Sequence, residues 1–233
     1  MRIYVARPVG TPKRGLLVFQ EAFGVNAHIR DVTERFAREG YLAVAPELFH
    51  RSAGAGFEGQ YGDFNSVLPH YKEMRDHLLA ADFKAAFDWL RSNGIAAGLP
   101  IAAVGFCMGG RSAFLAGLTL PVECTVSFYG GGIAPNPMNA GLLNRVDELK
   151  APVLLFWGGK DQHIPTEHTR AVTDALKAAG KNYVNVEFSA ADHAFFCDAR
   201  PSYNPAAAAQ AWPLTLAFLD TYTAARQQEA AGR

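Results

Sequence analysis

Short apolar runs alternate with longer stretches of helical periodicity along the chain, and this alternation restricts the possible folds more than any other feature. Seven apolar runs are predicted to be strands, at residues 3–6, 15–19, 41–45, 101–105, 124–129, 153–157 and 183–188. Strands and helices that alternate in this way are typical of a mostly parallel sheet covered by helices on both faces. The sequence therefore predicts an α/β fold.

The segments between these strands supply five predicted helices and two predicted loops. The helices are at residues 28–39, about 68–93, 109–118, 166–179 and 206–223. Gly40, Gly94 and Gly180 follow three of them, where a residue in the left-handed conformation commonly ends a helix. The glycine-containing segment 49–66 and the segment 130–144, which contains glycines and prolines, show no sustained period and are predicted loops. Residues 227–233 are predicted to be a frayed tail.

The length and the composition of the chain predict a single domain, residues 1–233. A chain of 233 residues with 49% hydrophobic residues can fill one core of the size that α/β folds commonly reach. Its 22 basic and 22 acidic residues give zero formal net charge, so the charge excess that attracts nucleic acids or anionic lipids is missing. A small molecule is therefore the expected ligand, and the oligomeric state stays open.

The cysteines, the histidines and the apolar runs carry predictions about location and cofactors. No apolar run approaches the roughly 20 residues that span a bilayer, and residues 1–10 lack a secretory apolar segment. Cys107, Cys124 and Cys197 form no Cys-x-x-Cys pair, and the histidines show no paired metal-ligand spacing. We therefore expect a cytoplasmic protein with free thiols, no metal and no cofactor.

Cys107 lies where a predicted strand turns sharply into a predicted helix, in the sequence Val-Gly-Phe-Cys-Met-Gly-Gly at residues 104–110. Cys107 takes the serine position of the Gly-x-Ser-x-Gly nucleophile elbow, whose glycines avoid side-chain clashes in a strained turn. The helix N-terminus favours a thiolate at this place. A buried structural cysteine is the alternative for Cys107, and it is the preferred interpretation for Cys124 and Cys197.

Asp161 and His193 follow the last two predicted strands and complete a candidate triad with Cys107. Carboxyl ends of parallel strands face the same crevice, so all three side chains are expected at one edge of the sheet. Their order in the chain, nucleophile then acid then histidine, is that of α/β-hydrolases. His193 would exchange protons with the thiol and the leaving group, and Asp161 would orient the imidazole. Asp192 is the main rival for the acid.

These motifs resemble those of the dienelactone hydrolase family (carboxymethylenebutenolidases), over essentially the whole chain. The resemblance is carried by Gln-Glu-Ala-Phe-Gly-Val-Asn at residues 20–26, Gly-Phe-Cys-Met-Gly-Gly at 105–110, Gly-Lys-Asp-Gln-His-Ile-Pro at 159–165 and His-Ala-Phe at 193–195. It implies an α/β-hydrolase fold and cofactor-free hydrolysis of a small ester or lactone through an acyl group on the cysteine.

The resemblance also implies roles for residues around the triad. The family's glutamate falls on Glu21, which would hold the resting thiol neutral and move when substrate binds. The backbone N–H groups of Ala22 and Met108 would form the oxyanion hole. Four aromatic residues would line the pocket, although each is an equally good core residue: Phe23, Phe128, Tyr129 and Phe195.

One family feature is missing, and it concerns the substrate. Family members that open dienelactone hold its carboxylate with arginines, one of them four residues after the catalytic histidine, where this chain has Cys197. Arg200, Arg75 and Arg51 are candidates to replace it, but a solvated surface charge is the preferred interpretation of each. Two other functions stay open: a thioesterase or acyltransferase with the same nucleophile, and a ligand-binding protein on a disabled hydrolase fold.

Overall fold

A seven-stranded sheet forms the centre of the molecule in the computed structural model, which describes residues 1–93 and 98–231. The strands are β1 (Ile3–Ala6), β2 (Arg14–Phe19), β3 (Tyr41–Pro46), β4 (Ile101–Phe106), β5 (Thr125–Phe128), β6 (Val153–Gly158) and β7 (Tyr183–Phe188). Their order in the sheet is β1-β3-β2-β4-β5-β6-β7. Only the edge strand β1 runs antiparallel to its neighbour, so the predicted mostly parallel sheet is confirmed.

Six helices and one short 3₁₀ helix accompany these strands in the part of the chain that the structure describes. They are α1 (Ala27–Arg38), α2 (Phe64–Lys72), α3 (Asp76–Asn93), α4 (Met108–Thr119), the 3₁₀ helix Leu143–Glu148, α5 (Thr166–Ala178) and α6 (Pro205–Ala231). Every residue of β3, β4 and β6 is buried. Side chains alternate between the two faces of a strand, so such burial requires helices on both faces of the sheet.

The predicted helix at about 68–93 is wrong, because the chain forms two helices there. α2 begins earlier, where the side chain of Asp63 accepts a hydrogen bond from the Ser66 N–H at 3.3 Å, and this shortens the predicted loop. Its end is tightened by a bond from the Glu73 N–H to the His70 carbonyl at 3.2 Å. α3 then starts afresh, with the Leu79 N–H donating to the Arg75 carbonyl at 2.9 Å.

Two other segments differ from the sequence predictions. The predicted loop 130–144 ends in the 3₁₀ helix that begins at Leu143, and α6 extends to Ala231 through most of the predicted tail. Gly94, predicted to end a helix, lies outside the described residues, as do residues 232–233. No helix in the described part of the chain combines the length and the apolar character needed to cross a membrane.

Candidate active site

Cys107 occupies a strained turn between β4 and α4. Its backbone has φ 56° and ψ −119°, a conformation that side-chain-bearing residues rarely adopt. The turn depends on glycines, because a Cβ at Gly105 would lie 1.8 Å from the Gly109 carbonyl oxygen, and one at Gly109 would lie 2.2 Å from the Phe19 carbonyl oxygen. The strand can therefore reverse into the helix only with glycine at both positions, and the turn presents the Cys107 side chain at the edge of the sheet.

The side chains of Cys107, His193 and Asp161 contact one another in a continuous chain. His193 Nε2 lies 3.1 Å from the Cys107 sulfur, and His193 Nδ1 lies 2.7 Å from Asp161 Oδ2. The strands β4, β6 and β7 run parallel and deliver the three residues to the same edge of the sheet. The structure thus brings together the three residues that the sequence singled out.

The carboxylate of Asp161 is held by its own loop. Its Oδ1 atom accepts hydrogen bonds from the backbone N–H groups of His163 at 2.8 Å and Ile164 at 3.1 Å, which leaves Oδ2 directed at His193. Asp192, the rival acid, instead accepts the backbone N–H of His193 at 2.6 Å. Its carboxylate is engaged with the main chain, whereas Asp161 is bonded to the imidazole.

The electrostatic environment favours a protonated His193. Burial alone would lower the pKa of this imidazole, but the negative charges of Cys107 and Asp161 and the hydrogen bonds to them outweigh burial and raise the pKa to about 10. His193 is 8% exposed, so these interactions are only weakly screened by water. The surroundings of His193 therefore favour its imidazolium form.

A cavity of about 330 Å³ opens at this site, and we call it the active-site cavity. Cys107 and His193 lie in its wall together with Ala22 and Met108, the residues predicted to supply the oxyanion hole. Phe23 also lines it, as the sequence predicted. Among the described residues no group of three or more histidine, cysteine or acidic side chains could hold a metal ion.

Four residues predicted to contact substrate are not part of the cavity wall in the structure. Phe128, Tyr129, Phe195 and Cys197 are fully buried and do not line the active-site cavity. Phe128 stacks on Phe106 with ring centroids 4.8 Å apart, and Tyr129 packs against Phe195 at 5.3 Å. These aromatic side chains pack against one another as part of the hydrophobic core.

Glu21 is fully buried directly after β2, and neither of its carboxylate oxygens has a hydrogen-bond partner among the described residues. Burial raises its pKa, and the charges of Arg200 and His193 oppose this rise. The nearby hydroxyls of Tyr129 and Tyr61 also lower the pKa of Glu21, although neither forms a hydrogen bond of normal geometry to the carboxylate. Glu21 forms no hydrogen bond to Cys107 or His193 among the described residues, and the Cys107 sulfur is bonded to His193 instead.

Arg200 is not a solvated surface charge. It lines the active-site cavity, its side chain is 20% exposed, and its Nη1 atom lies 3.9 Å from Glu21 Oε1. The guanidinium lies over the rings of Phe23 and Tyr61, 5.6 Å from each centroid. Arg51 instead pairs with Asp82, and Arg75 is an exposed residue beside a neighbouring cavity.

Comparisons with known proteins decide the family. The model of the dienelactone hydrolase family matches residues 1–223. The chain belongs to the dienelactone hydrolase family. A Synechocystis protein provisionally named carboxymethylenebutenolidase is 37% identical over 218 residues, which cover 90% of this chain and 87% of that protein. An Escherichia coli strain K12 protein with the same provisional name is 34% identical, covering 95% and 83%.

The solved structures agree with this membership. The crystal structure of a protein of Klebsiella pneumoniae, provisionally named dienelactone hydrolase, superposes with a TM-score of 0.86 at 34% identity and covers 94% of this chain and 92% of that one. The α/β-hydrolase fold of this dienelactone hydrolase family member is thereby confirmed. The protein is an enzyme, a carboxylic ester hydrolase.

Sequence reasoning missed several residues of the site in this family member. His163 lines the active-site cavity, with its ring centroid 5.2 Å from that of His193, yet its sequence position suggested only a structural histidine. Its place two residues after Asp161 was the available signal. Other lining residues had no functional signal, three of them in the predicted loops and one in the predicted helix at about 68–93: Phe64, Asn136, Met138 and Tyr71.

Proposed function

We propose that the protein hydrolyses a small carboxylic ester or lactone through an acyl intermediate on Cys107, with His193 as the proton carrier and Asp161 as its orienting acid. The observation that carries this proposal is the unbroken chain of contacts, 3.1 Å from sulfur to imidazole and 2.7 Å from imidazole to carboxylate, at the wall of a cavity. A binding protein has no need of this arrangement.

In the acylation step the Cys107 thiolate attacks the carbonyl carbon, and a carbon–sulfur bond forms as the carbonyl electrons move to oxygen. The backbone N–H groups of Ala22 and Met108 would stabilise this oxyanion. The intermediate then collapses and expels the alkoxide, which takes a proton from the His193 imidazolium. For a lactone the expelled alkoxide stays attached to the acyl group.

In the deacylation step the now neutral His193 removes a proton from water, and the water oxygen attacks the thioester carbonyl. Collapse of the second intermediate breaks the carbon–sulfur bond and returns the thiolate beside the imidazolium. Asp161 serves both steps, because its Oδ2 atom keeps the Nδ1 proton in place and favours the charged imidazole.

Glu21 acts at a distance in this proposal. Its buried carboxylate interacts electrostatically with His193, so a negative charge on Glu21 favours the imidazolium. Its oxygens have no hydrogen-bond partner among the described residues, which is compatible with the role that the family resemblance implies, holding the resting thiol neutral and moving when substrate binds.

The cavity supports a small and largely apolar substrate. Its volume is about 330 Å³, and Ala22, Phe23, Phe64 and Ile164 contribute apolar surface beside the polar groups of the triad. The zero net charge of the chain supports a small molecule rather than a nucleic acid as the ligand.

The test is a panel of neutral and acidic esters and lactones, assayed on the wild type and on Cys107→Ala. We expect hydrolysis by the wild type, no covalent turnover by the variant, and an acyl adduct on Cys107 in mass spectra after rapid quenching. Cys124→Ala is the matched control, because this cysteine is buried away from the cavity. An adduct on Cys124 or Cys197, or full activity of Cys107→Ala, would refute the proposal.

A further inference from the structure

A second cavity of about 320 Å³ lies next to the active-site cavity. The two share parts of their walls, namely Tyr71, Met108 and Met138. The charged residues of the second cavity are Lys72, Arg75, Arg111 and Asp76, so its lining carries three positive charges against one negative charge. We call it the basic cleft.

Arg111 and Asp76 form a fixed, neutral part of the basic cleft. Arg111 donates two hydrogen bonds to the Asp76 carboxylate, at 2.7 and 3.1 Å, and a third to the Gly132 carbonyl at 3.0 Å. Arg111 is 8% exposed, so this paired geometry is held by its surroundings. The pair cancels its own charge and leaves the charges of the other two cations uncompensated.

Lys72 and Arg75 have no acidic partner within 4.0 Å among the described residues. Arg75 donates to the backbone carbonyl of Lys72, which holds its guanidinium near the end of α2. Asn139 adds a polar group to the lining, because its side-chain oxygen accepts the Gly141 N–H at 3.0 Å and its NH₂ group is left to donate. An anion in the cleft would therefore meet two uncompensated positive charges and a hydrogen-bond donor.

Tyr71 connects the basic cleft to the nucleophile. Burial raises the pKa of its hydroxyl, the negative charge of Cys107 raises it further, and the charge of Arg111 lowers it. Tyr71 lines both cavities, with Cys107 in the wall of the active-site cavity and Arg111 in the wall of the basic cleft. A substrate that extends past Tyr71 from Cys107 would enter the basic cleft.

We propose that the basic cleft binds an anionic group, such as a carboxylate, at the far end of an extended ester whose carbonyl reacts at Cys107. This inference rests on the proposed function, and it assigns the substrate class as esters with a distal negative charge. A compact acidic lactone is a different case, because its carboxylate stays inside the active-site cavity.

The test measures kcat/KM for two substrate series of increasing length. The acyl series consists of p-nitrophenyl monoesters of succinic, adipic and suberic acids, and the alcohol series of acetate esters of ω-hydroxy acids. Each acid is compared with its neutral methyl ester. The double variant Lys72→Gln/Arg75→Gln removes the two uncompensated charges, and Arg170→Gln/Lys177→Gln removes two exposed charges of α5 outside both cavities.

We expect the ratio of acid to neutral kcat/KM to rise about tenfold with length in at least one series, which is the effect of one or two partly exposed charge contacts. The double variant should lose this rise and keep its activity on neutral esters, whereas the α5 control should keep both. The proposal would be overturned if the acid-to-neutral ratio of kcat/KM did not change with substrate length in either series. It would also be overturned if the double variant kept the full rise of this ratio.

A binding measurement separates this proposal from the proposed function. Calorimetry measures the binding of suberic acid to Cys107→Ala and to Cys107→Ala combined with the double variant. Neither protein has the nucleophile, so the measurement reports binding in the cleft alone. Weaker binding after loss of Lys72 and Arg75 supports the cleft even if no ester is hydrolysed. Equal binding by both proteins counts against the cleft even if the hydrolase assays succeed.

Discussion

The guanidinium of Arg200 lies 3.9 Å from the carboxylate of Glu21, and this is the only ion pair within 4.0 Å of that carboxylate among the described residues. Glu21 is fully buried without a hydrogen bond, so its ionised form is poorly compensated even with Arg200 beside it. Residues kept in such a costly environment are concentrated at functional sites.

Replacing Glu21 with glutamine should therefore stabilise the fold at neutral pH. Burial raises the pKa of Glu21 above its ordinary value of 4.5, so its contribution to stability is present below about pH 4.5 and is lost as the pH rises through the folded-state pKa. We expect Glu21→Gln to gain about 1–3 kcal/mol in unfolding free energy at pH 7 relative to the wild type. The gain should vanish near pH 4.

Denaturant unfolding of both proteins at several pH values measures this difference. Glu187→Gln, at an exposed position of β7, controls for the removal of one negative charge. A wild type at least as stable as Glu21→Gln at pH 7 would contradict the expectation.

Asp161→Asn should fold normally and lose about 10²- to 10⁴-fold in kcat, because an amide at this position favours the wrong imidazole tautomer. Asp192→Asn is the matched comparison, since the Asp192 carboxylate accepts only the backbone N–H of His193. The asparagine side-chain oxygen can still accept this bond, so the variant should lose less than about tenfold in kcat. The opposite ranking of the two variants would make Asp192 the acid.

The protonation of His193 provides a third expectation. Its pKa of about 10 rests largely on the negative charge of Cys107, so the pKa should fall in Cys107→Ala, where burial acts with less opposition. In the wild type the imidazolium persists below about pH 10 and is lost above it, so kcat/KM should decline on the alkaline side. NMR titration of the imidazole in both proteins measures the fall in the His193 pKa. A pH–rate profile of the wild type measures the alkaline decline in kcat/KM.

His28 is the internal control for that titration. Burial lowers its pKa to about 4, and Cys107 is not among the groups that affect it, so its titration should be the same in both proteins. A wild-type His193 that titrates near its ordinary pKa of 6.5 would show that the thiolate–imidazolium pair does not form.

The arrangement of Cys107, His193 and Asp161 was predictable because its signals are local. The turn at Cys107 needs glycines at fixed positions, and a Cβ at Gly105 or Gly109 would collide with backbone oxygens. The places of Asp161 and His193 follow from parallel strands, whose carboxyl ends meet at one edge. Each strand, turn and helix that carries these residues is indicated by a few adjacent residues of the sequence. Their positions could therefore be predicted without knowing how distant parts of the chain pack.

The pocket walls were not predictable in the same way. In the sequence, Phe128 and Phe195 cannot be told apart from aromatic residues that line a pocket. Only the folded structure shows that their rings pack against each other in the core. Arg200 reaches the cavity because the loop after His193 turns repeatedly, with the Cys197 N–H bonded to the Ala194 carbonyl at 3.0 Å and the Arg200 N–H to the Cys197 carbonyl at 3.1 Å. The side chain of Arg200 therefore lines the cavity, whereas the sequence predicted that the side chain of Cys197 would do so.

The loop geometry bears directly on selectivity among compact substrates. Cys197 is fully buried, with its thiol 3.4 Å from the Tyr61 hydroxyl, and an arginine at that position could not reach the cavity without displacing its neighbours. Arg200 is the only arginine or lysine among the described residues that line the active-site cavity, and it is paired with Glu21. A small acidic lactone would have to compete with Glu21 for that one guanidinium.

We therefore expect the wild type to hydrolyse neutral short-chain esters or lactones at least as well as a carboxylated dienelactone. Glu21→Gln removes the competing charge and should shift the acid-to-neutral ratio of kcat/KM about tenfold towards the acid, even if both rates fall. The ratio cancels any loss that is common to both substrates, including a loss of Glu21's own contribution to catalysis. In Glu21→Gln/Arg200→Ala the shift should disappear, because no arginine or lysine among the described residues is then left in the wall of the active-site cavity. A strong preference of the wild type for the acid that Arg200→Ala abolishes would instead show that Arg200 binds the substrate carboxylate despite its pairing with Glu21.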